Sequence, residues 1–230
     1  MSDLERRCVI AVLDDRGKET LEKWFDQLSP EERQAIGVVS MDMWEPYYLA
    51  VKVKLPHATI VADRFRVMRQ LNERLTQMRR AIQARADEAT REVLKGSCWI
   101  LVKNRDELSE KEALKLTEVL AACPELRTLC PLKEESRLIF EKVRDRDRAA
   151  RFLRAWIYKA QRTGDKYLLK FVATLLKWWE EILSYFIERV TNGLPEGMNR
   201  AIRAIIRRAC GYRNFDNFRL QVLAEHGPSG

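Results

Sequence analysis

The sequence contains few of the residues from which zinc sites and disulfide frameworks are built. Its 230 residues include five cysteines and two histidines, and no two cysteines form a CxxC pair. Structural zinc sites take four Cys or His ligands, usually in close pairs. We therefore expect no structural zinc site. The odd number of cysteines favours free, buried thiols in a reducing compartment.

Long apolar runs are also missing. The most apolar region, residues 167–187, is interrupted by two lysines and two glutamates, whereas a membrane-spanning helix needs about 18 or more apolar residues in a row. The amino terminus, MSDLERR, lacks the apolar core of a signal peptide. We therefore expect a cytoplasmic protein that does not enter a membrane. In addition, the sequence contains no GxGxxG motif, no P-loop and no serine or cysteine hydrolase pattern.

Basic residues are abundant. Lys and Arg number 42 against 34 Asp and Glu, which gives a net charge of +8 and a pI of about 9.3. Such an excess indicates a polyanionic partner, most often nucleic acid, although it is also compatible with a merely basic globular protein. Hydrophobic residues make up 46% of the chain, enough for a sizeable core.

The first 63 residues alternate between strand-like and helix-like segments. Short apolar runs at 8–13, 36–41 and 58–62 predict strands, and the segments between them have helical spacing or helix-start signals such as SPEER. Strands that alternate with helices are typical of an α/β sheet with parallel members.

From Arg64 onward the pattern is helical. Residues 66–94 form a long, basic amphipathic pattern, and 96–103 fit either a strand or a buried helix. The remaining segments up to residue 189 predict helices, and a final basic helix follows. There is no repeat and no low-complexity linker.

Two aspartates follow predicted strands directly. Asp42 follows VVSM and Asp63 follows TIVA. Carboxylates at the carboxyl ends of strands suit a hard cation such as Mg²⁺, and a third carboxylate from a distant helix would complete a two-metal site for phosphodiester chemistry. The alternative is that each Asp is an ordinary turn residue or helix cap.

Glu196 is the candidate for the third carboxylate. It shares one helical face with Arg200, Arg203 and Arg207, at offsets of four, seven and eleven. Arginines beside a metal ligand would position DNA by its phosphates. Alternatively, the Glu196 carboxylate lies in the first turn because it interacts favourably with the positive end of the helix dipole, or it forms an ion pair with Arg200. The basic residues that we predict to contact DNA are Arg79, Arg80, Arg200, Arg203, Arg207 and Arg208.

Three long segments together resemble one known family. They are VVSMDMWEPYYLAVKVKLPHATIVADRFRVMRQLNERLTQMRR (38–80), LKGSCWILVKNRDELSEKEALKLTEVL (94–120) and TNGLPEGMNRAIRAIIRRACGYRNFDNFRL (191–220). All three are similar to transposases of bacterial insertion sequences, in the family named after insertion sequence L-three. The resemblance covers the chain from about Cys8 to Leu223.

The resemblance implies an α/β fold. We expect a ribonuclease-H-like catalytic core, incomplete at its amino terminus, that is interrupted by a mostly helical insertion. On this basis residues 1–78 form the first part of the core, 79–189 the insertion, and 190–225 the closing catalytic helix of the core.

The resemblance also implies a chemistry. The family holds Mg²⁺, for which Mn²⁺ can substitute, with two aspartates and a glutamate, and it cleaves and transfers DNA strands. The second aspartate falls on Asp42 and the glutamate on Glu196, so both are predicted catalytic residues and metal ligands. Asp63 falls on the acid of a supporting acid-Arg-Phe-His motif. Arg66 stands in place of that His, and it cannot accept a proton at neutral pH.

The first catalytic aspartate of the family has no counterpart in this sequence. It belongs on a strand ahead of residues 8–13, so we expect an amino-terminally truncated transposase that is inactive by itself, because such carboxylates act as a unit.

A second interpretation is a non-catalytic DNA-binding or regulatory remnant, and a third is an unrelated helical scaffold with chance matches. Under the first two interpretations, DNA is the partner, the protein can form a homo-oligomer, and no membrane is involved.

Overall fold

The chain divides into two compact units. The computed structural model describes residues 1–190 and 193–228, and for 193–196 it describes the backbone but not the side chains. Met1–Asp63 and Val190–Gly230 form the first unit, and Arg64–Arg189 form the second. Helix α4 (Arg64–Arg85) lies wholly in the second unit. The boundary that we predict after residue 78 therefore falls inside this helix.

A small antiparallel hairpin opens the first unit. Its strands are β1 (Ser2–Asp3) and β2 (Cys8–Val9). In the turn between them, the Asp3 carboxylate accepts the backbone N–H groups of Glu5 and Arg6, both at 2.9 Å. Only Cys8 and Val9 of the strand predicted over 8–13 are in a strand. This strand pairs antiparallel with β1, so its assignment to a parallel sheet is wrong. The reason is local, since a short loop brings β1 beside β2 at little entropic cost.

The next elements of the first unit are α1 (Lys18–Asp26), α2 (Pro30–Ala35), β3 (Val38–Met41), α3 (Glu45–Lys54) and β4 (Thr59–Ala62). Strands β3 and β4 are parallel, with α3 as the crossover that parallel strands require. Ser29 and Glu32 form a capping box at the start of α2, as the SPEER signal predicts. The strand–helix–strand order predicted for this stretch is thus confirmed.

One core cluster fixes this α/β segment. Leu21 and Phe25 of α1 pack with Val51 of α3 and Ile60 of β4, and each of these side chains is buried. The apolar spacing that predicts a helix over 18–28 therefore marks the buried face of α1. This packing holds β3 and β4 against the two helices.

Two further helices, α12 (Gly193–Arg208) and α13 (Phe215–His226), complete the first unit. Met198 and Ile205 of α12 and Val222 of α13 are buried in a second cluster, together with Val9 of β2. The hairpin of β1 and β2 is thus packed against these two helices.

The second unit is entirely helical within its described residues. After α4 come α5 (Glu88–Leu94), α6 (Ser97–Val102), a 3-10 helix (Arg105–Glu107), α7 (Glu110–Ala122), α8 (Pro124–Lys142), α9 (Arg146–Arg162), α10 (Lys166–Lys177) and α11 (Trp179–Glu188). The ambiguous segment 96–103 is a helix. Asp87 and Asp145 divide predicted long helices, because each carboxylate accepts a backbone N–H and caps the helix that follows.

The core of the second unit centres on α9. Trp156 is fully buried, donates its indole N–H to the Leu132 carbonyl at 2.7 Å, and meets Phe171 edge-on at 5.6 Å. Lys133 is also buried, and its amine donates to the backbone carbonyls that end α6, with 2.6 Å to that of Lys103. A buried ammonium is tolerated here because these carbonyls, and Glu134 at 2.6 Å, surround it.

The protein is thus mostly helical with few strands, which is consistent with the predicted α/β class. The cysteines are free, as predicted; three are buried, but Cys98 is half-buried and Cys210 is exposed, so burial holds only in part. Across the described residues, no helix has both the length and the apolar character needed to cross a bilayer.

Candidate metal and DNA site

The parallel register of β3 and β4 places two aspartates side by side. Met41 lies opposite Ala62 at the ends of the strands, and the next residues are Asp42 and Asp63. The Asp63 N–H donates to the Met41 carbonyl at 3.0 Å, so the ladder continues to the aspartate. Because paired strands lie about 4.8 Å apart, the two aspartates are backbone neighbours at the carboxyl edge of the sheet. Their location agrees with the prediction, and their catalytic role remains a prediction.

The two aspartates differ in exposure. Asp42 is exposed, and its carboxylate accepts the Met43 N–H at 2.9 Å, while its carbonyl accepts the Trp44 N–H at 2.7 Å. This turn leads into α3. Asp63 is only 4% exposed and directly precedes α4. Asp42 is therefore accessible to a ligand, whereas the enclosed Asp63 suits a supporting role. Arg66, the third residue of α4, is half-buried.

Glu196, the predicted third ligand, lies on α12, and its side chain is outside the described residues. Helix α12 belongs to the same unit as Asp42 and Asp63. In the described part of the chain, no group of three His, Cys, Asp or Glu side chains is arranged to hold a metal ion. The structure thus brings Asp42 and Asp63 together at one edge of the sheet. That Asp42 and Glu196 hold the same metal ion remains a prediction.

Helix α12 has a buried side and a basic side. Met198 and Ile205 are buried, whereas Arg200, Arg203 and Arg207 are exposed. This division agrees with the periodicity of the sequence. Within the described residues, Arg203 and Arg207 have no carboxylate partner, so both guanidinium groups can contact an anion.

Arg208 differs from the other arginines of α12. Its Nη2 lies 2.7 Å from Oε2 of Glu225 on α13. This hydrogen bond holds the pKa of the Glu225 carboxyl below its ordinary value and raises that of Arg208. Sequence reasoning did not find this pair, because residues on two different helices carry no shared periodicity. Arg208 is therefore engaged within the protein, unlike Arg203 and Arg207.

The predicted contacts on α4 are also unequal. Arg80 is exposed, but Arg79 is half-buried and donates to the Gln83 side chain at 2.7 Å. After α12, Tyr212 and Phe215 each pack against Phe218, with ring centroids 5.3 and 6.0 Å apart. These two half-buried rings therefore belong to the packing of α13.

One known protein family matches almost the whole chain. The sequence model of a transposase family, the ISL3 group of DDE transposases, matches residues 1–222. This chain belongs to that family. It is 32% identical over 221 residues to the transposase for insertion sequence element IS1001 of Bordetella parapertussis, which covers 95% of this chain and 54% of that protein.

Two further relatives come from Mycobacterium tuberculosis. The transposases for insertion sequence element IS1557 of strains CDC 1551 and H37Rv are each 28% identical over 238 residues, covering 92% of this chain and 53% of theirs. The chain therefore spans about half the length of the curated relatives that it matches. No solved structure matches it.

Membership of the DDE transposases implies a divalent metal ion, and the residues present fit one. Divalent cations of the magnesium type take oxygen ligands, usually one or two protein carboxylates together with waters and substrate phosphates. Asp42 offers an accessible carboxylate at the edge of the sheet, and the nearly buried Asp63 lies beside it. The donor set is thus of the chemical kind that such an ion requires.

Proposed function

We propose that the protein to which this chain belongs catalyses metal-dependent cleavage and transfer of the DNA strands of an insertion sequence. The first unit would be part of a ribonuclease-H-like core, and the second unit its helical insertion. DNA, as the ends of the element and the target, would be the partner, and the activity would be cytoplasmic. The observation that carries the proposal is the pairing of Asp42 with Asp63 at the carboxyl edge of β3 and β4, in a chain of this family.

The exposure and charge of these residues suggest a different role for each. Asp42, the accessible carboxylate, and Glu196 would hold Mg²⁺ or Mn²⁺. When bound, such an ion neutralises charge on the scissile phosphate and favours deprotonation of the attacking oxygen. Asp63, which is nearly buried, would fix the geometry of the strand ends. A guanidinium does not serve as a general base in proteins, so the role of Arg66 would be electrostatic.

The basic side of α12 would position the substrate. Arg203 and Arg207 are exposed on the helix that also carries Glu196, and Arg200 lies on the same side. Phosphate contacts from arginine fix the register of DNA without reading its sequence. A carboxylate at the start of this helix and arginines along it would therefore bring the metal and the DNA backbone to one place.

Metal binding tests the assignment directly. In the 230-residue chain, we expect Asp42→Asn and Glu196→Gln each to weaken Mn²⁺ binding by about tenfold or more, because each removes one charged oxygen ligand. Titration calorimetry or the electron paramagnetic resonance of free Mn²⁺ measures this. The matched control is Glu19→Gln, an exposed carboxylate on α1 outside the proposed site, which should leave binding unchanged.

The same variants separate catalysis from DNA binding alone. With EDTA present, both should bind DNA as tightly as the original chain or slightly more tightly. If neither changes Mn²⁺ affinity, the metal-site assignment is wrong and the non-catalytic DNA-binding alternative replaces it. The resemblance implies three carboxylates, of which Asp42 and Glu196 would be two. We therefore propose that the 230-residue chain by itself does not transfer strands, and metal-dependent strand transfer by this chain would contradict that proposal.

A further inference from the structure

We propose that the exposed face of helix α9, in the second unit, is a binding site for single-stranded DNA. The site uses none of the residues assigned above. It rests on the proposed function only in naming DNA as the nucleic acid. The evidence lies in the charge of this face, its exposed rings and the way the helix is held.

The charge of α9 is strongly positive. Its 17 residues include five arginines and one lysine against a single acid, Asp147. Arg148, Arg151, Tyr158 and Arg162 recur at the three- and four-residue steps that place side chains on one helical face, and all four are exposed. The small exposed Ala155 lies at the centre of this face, so nothing bulky separates its two ends.

Packing fixes which side of α9 meets the solvent. The opposite side is buried, with Leu153 and Trp156 fully enclosed and Ala149 and Ala160 also at zero exposure. The helix cannot rotate without exposing these side chains. The basic face is therefore a permanent feature of the surface of the second unit.

Two aromatic rings lie exposed on this face, each beneath an arginine. Phe152 is 42% exposed and Tyr158 is 61% exposed. The guanidinium of Arg148 lies 5.6 Å from the ring centre of Phe152, and that of Arg162 lies 5.7 Å from the ring centre of Tyr158. Exposure of an apolar ring to water is energetically unfavourable. Exposed rings among arginines can instead stack on unpaired bases, while the guanidinium groups contact phosphates.

A third pair of this kind lies beside the face. Arg151 lines an open pocket of about 560 Å³ whose wall also includes Arg154 and Trp179. The Arg154 guanidinium lies 5.4 Å from the Trp179 ring centre. Three arginine–aromatic pairs thus follow one another on or beside α9, and in duplex DNA the stacked bases would not be available to such rings.

Four carboxylates lie near this face: Asp145 accepts the Arg148 N–H at 2.7 Å as the helix cap, and Asp147 is exposed in the wall of the pocket. Glu180 pairs with Arg146 at 2.5 Å and Glu135 with Lys159 at 2.6 Å, both at the edges of the face. Within the described residues, Arg148, Arg151 and Arg162 have no carboxylate partner. These three cations are therefore available to phosphates.

The length of the face suits a short strand. Arg148 and Arg162 are 14 positions apart, or about 21 Å along the helix axis. Phosphates of one stacked strand are about 3.4 Å apart along the axis, so the face spans roughly six nucleotides. This lies within the range of about 4–16 nucleotides that single-strand binding modules cover.

Fluorescence anisotropy with a labelled oligothymidylate of roughly 12 nucleotides tests the proposal on the 230-residue chain in EDTA. Replacing Arg148, Arg151 and Arg162 with Gln should lower affinity about tenfold or more at low salt, and should reduce the slope of log K against log salt by about 2. Phe152→Ala with Tyr158→Ala should lower single-strand affinity about tenfold and leave duplex affinity unchanged. The conservative Tyr158→Phe should retain binding.

The control replaces Lys95, Lys111 and Lys115 with Gln, an equal loss of charge on or beside α5 and α7, and should change affinity little. Circular dichroism verifies that every variant is folded. The proposal is overturned if the lysine control loses as much affinity as the arginine variant, or if the ring variant binds single strands normally. Asp42→Asn should leave this binding unchanged, so a failure of the metal site is distinguishable from a failure of this site.

Discussion

The two units of the chain differ in where their large apolar side chains lie. Of the twelve largest side chains that are fully buried in the described residues, ten belong to the second unit and only Phe25 and Leu55 to the first. The first unit has two small core clusters and strands of two to four residues. It also carries the predicted carboxylates. The unit with the candidate chemistry is therefore built around strand ends and turns, while the other is built around a helical core.

This difference has a physical basis. Sites that bind charged ligands need polar groups within reach of solvent, as Asp42 is, and short strands with adjacent turns provide them. A helical unit can bury one continuous apolar side of each helix and leave its outer faces for charge, as α9 does. Substitutions of the same type in the two settings should therefore have very different costs.

The largest effect should come from the core of the second unit. Trp156→Ala removes a fully buried ring and its hydrogen bond to the Leu132 carbonyl, and we expect the free energy of unfolding to fall by about 3–5 kcal/mol. Urea unfolding followed by circular dichroism measures it. The matched control is Trp99→Ala, because Trp99 is 79% exposed; it should change stability by less than about 0.5 kcal/mol. Similar losses in the two variants would contradict the burial difference.

A smaller effect should distinguish the two strand-end aspartates. Asp63 is 4% exposed and is not without interactions, so Asp63→Ala removes a nearly buried carboxylate, and we expect a loss of about 1–3 kcal/mol. Asp42 is exposed, so Asp42→Ala should cost less than about 0.5 kcal/mol while still weakening Mn²⁺ binding. Parallel urea titrations in EDTA compare the two. If Asp42→Ala is the more destabilising change, then Asp42 is a structural residue and not an accessible ligand.

The sequence was sufficient to predict features that depend on local patterns. The alternation of apolar runs and helical segments predicted β3 and β4, and the residue after each strand is an aspartate at the same sheet edge. The offsets of Arg200, Arg203 and Arg207 from Glu196 predicted the basic side of α12, and all three arginines are exposed. These predictions succeeded because periodicity and strand ends are properties of contiguous residues.

Other features depend on contacts between distant residues or on short capping signals. The pairing of Arg208 with Glu225 requires two helices to be side by side, which no spacing reveals. The breaks after α4 and α8 depend on single capping aspartates, Asp87 and Asp145, within long amphipathic patterns. The β1–β2 hairpin depends on a turn held by Asp3. At the two helix breaks and in the hairpin turn, the side chain of one aspartate accepts backbone N–H groups, which a pattern of apolar residues does not reveal.

The smallest effect concerns a polar helix end in the second unit. Glu112 belongs to the capping box of α7, where it accepts from the Lys103 amine at 2.8 Å and the Ser109 N–H at 2.8 Å. These hydrogen bonds, that of Lys103 above all, lower the pKa of Glu112 to about 2. A lowered carboxyl pKa stabilises the fold above the ordinary pKa of this group, and the stabilisation is lost as pH falls through the folded value.

Glu112→Gln should therefore lower the thermal midpoint at pH 7. The gap from the original chain should narrow below the ordinary pKa of 4.5 and largely close as pH falls through about 2. Melting curves across this pH range measure the gap, and in a Lys103→Met background it should already be smaller at pH 7. A gap that stays constant down to pH 2 would show that the carboxylate charge contributes nothing to this helix end. The helical unit would then depend on its apolar core even where its helices begin.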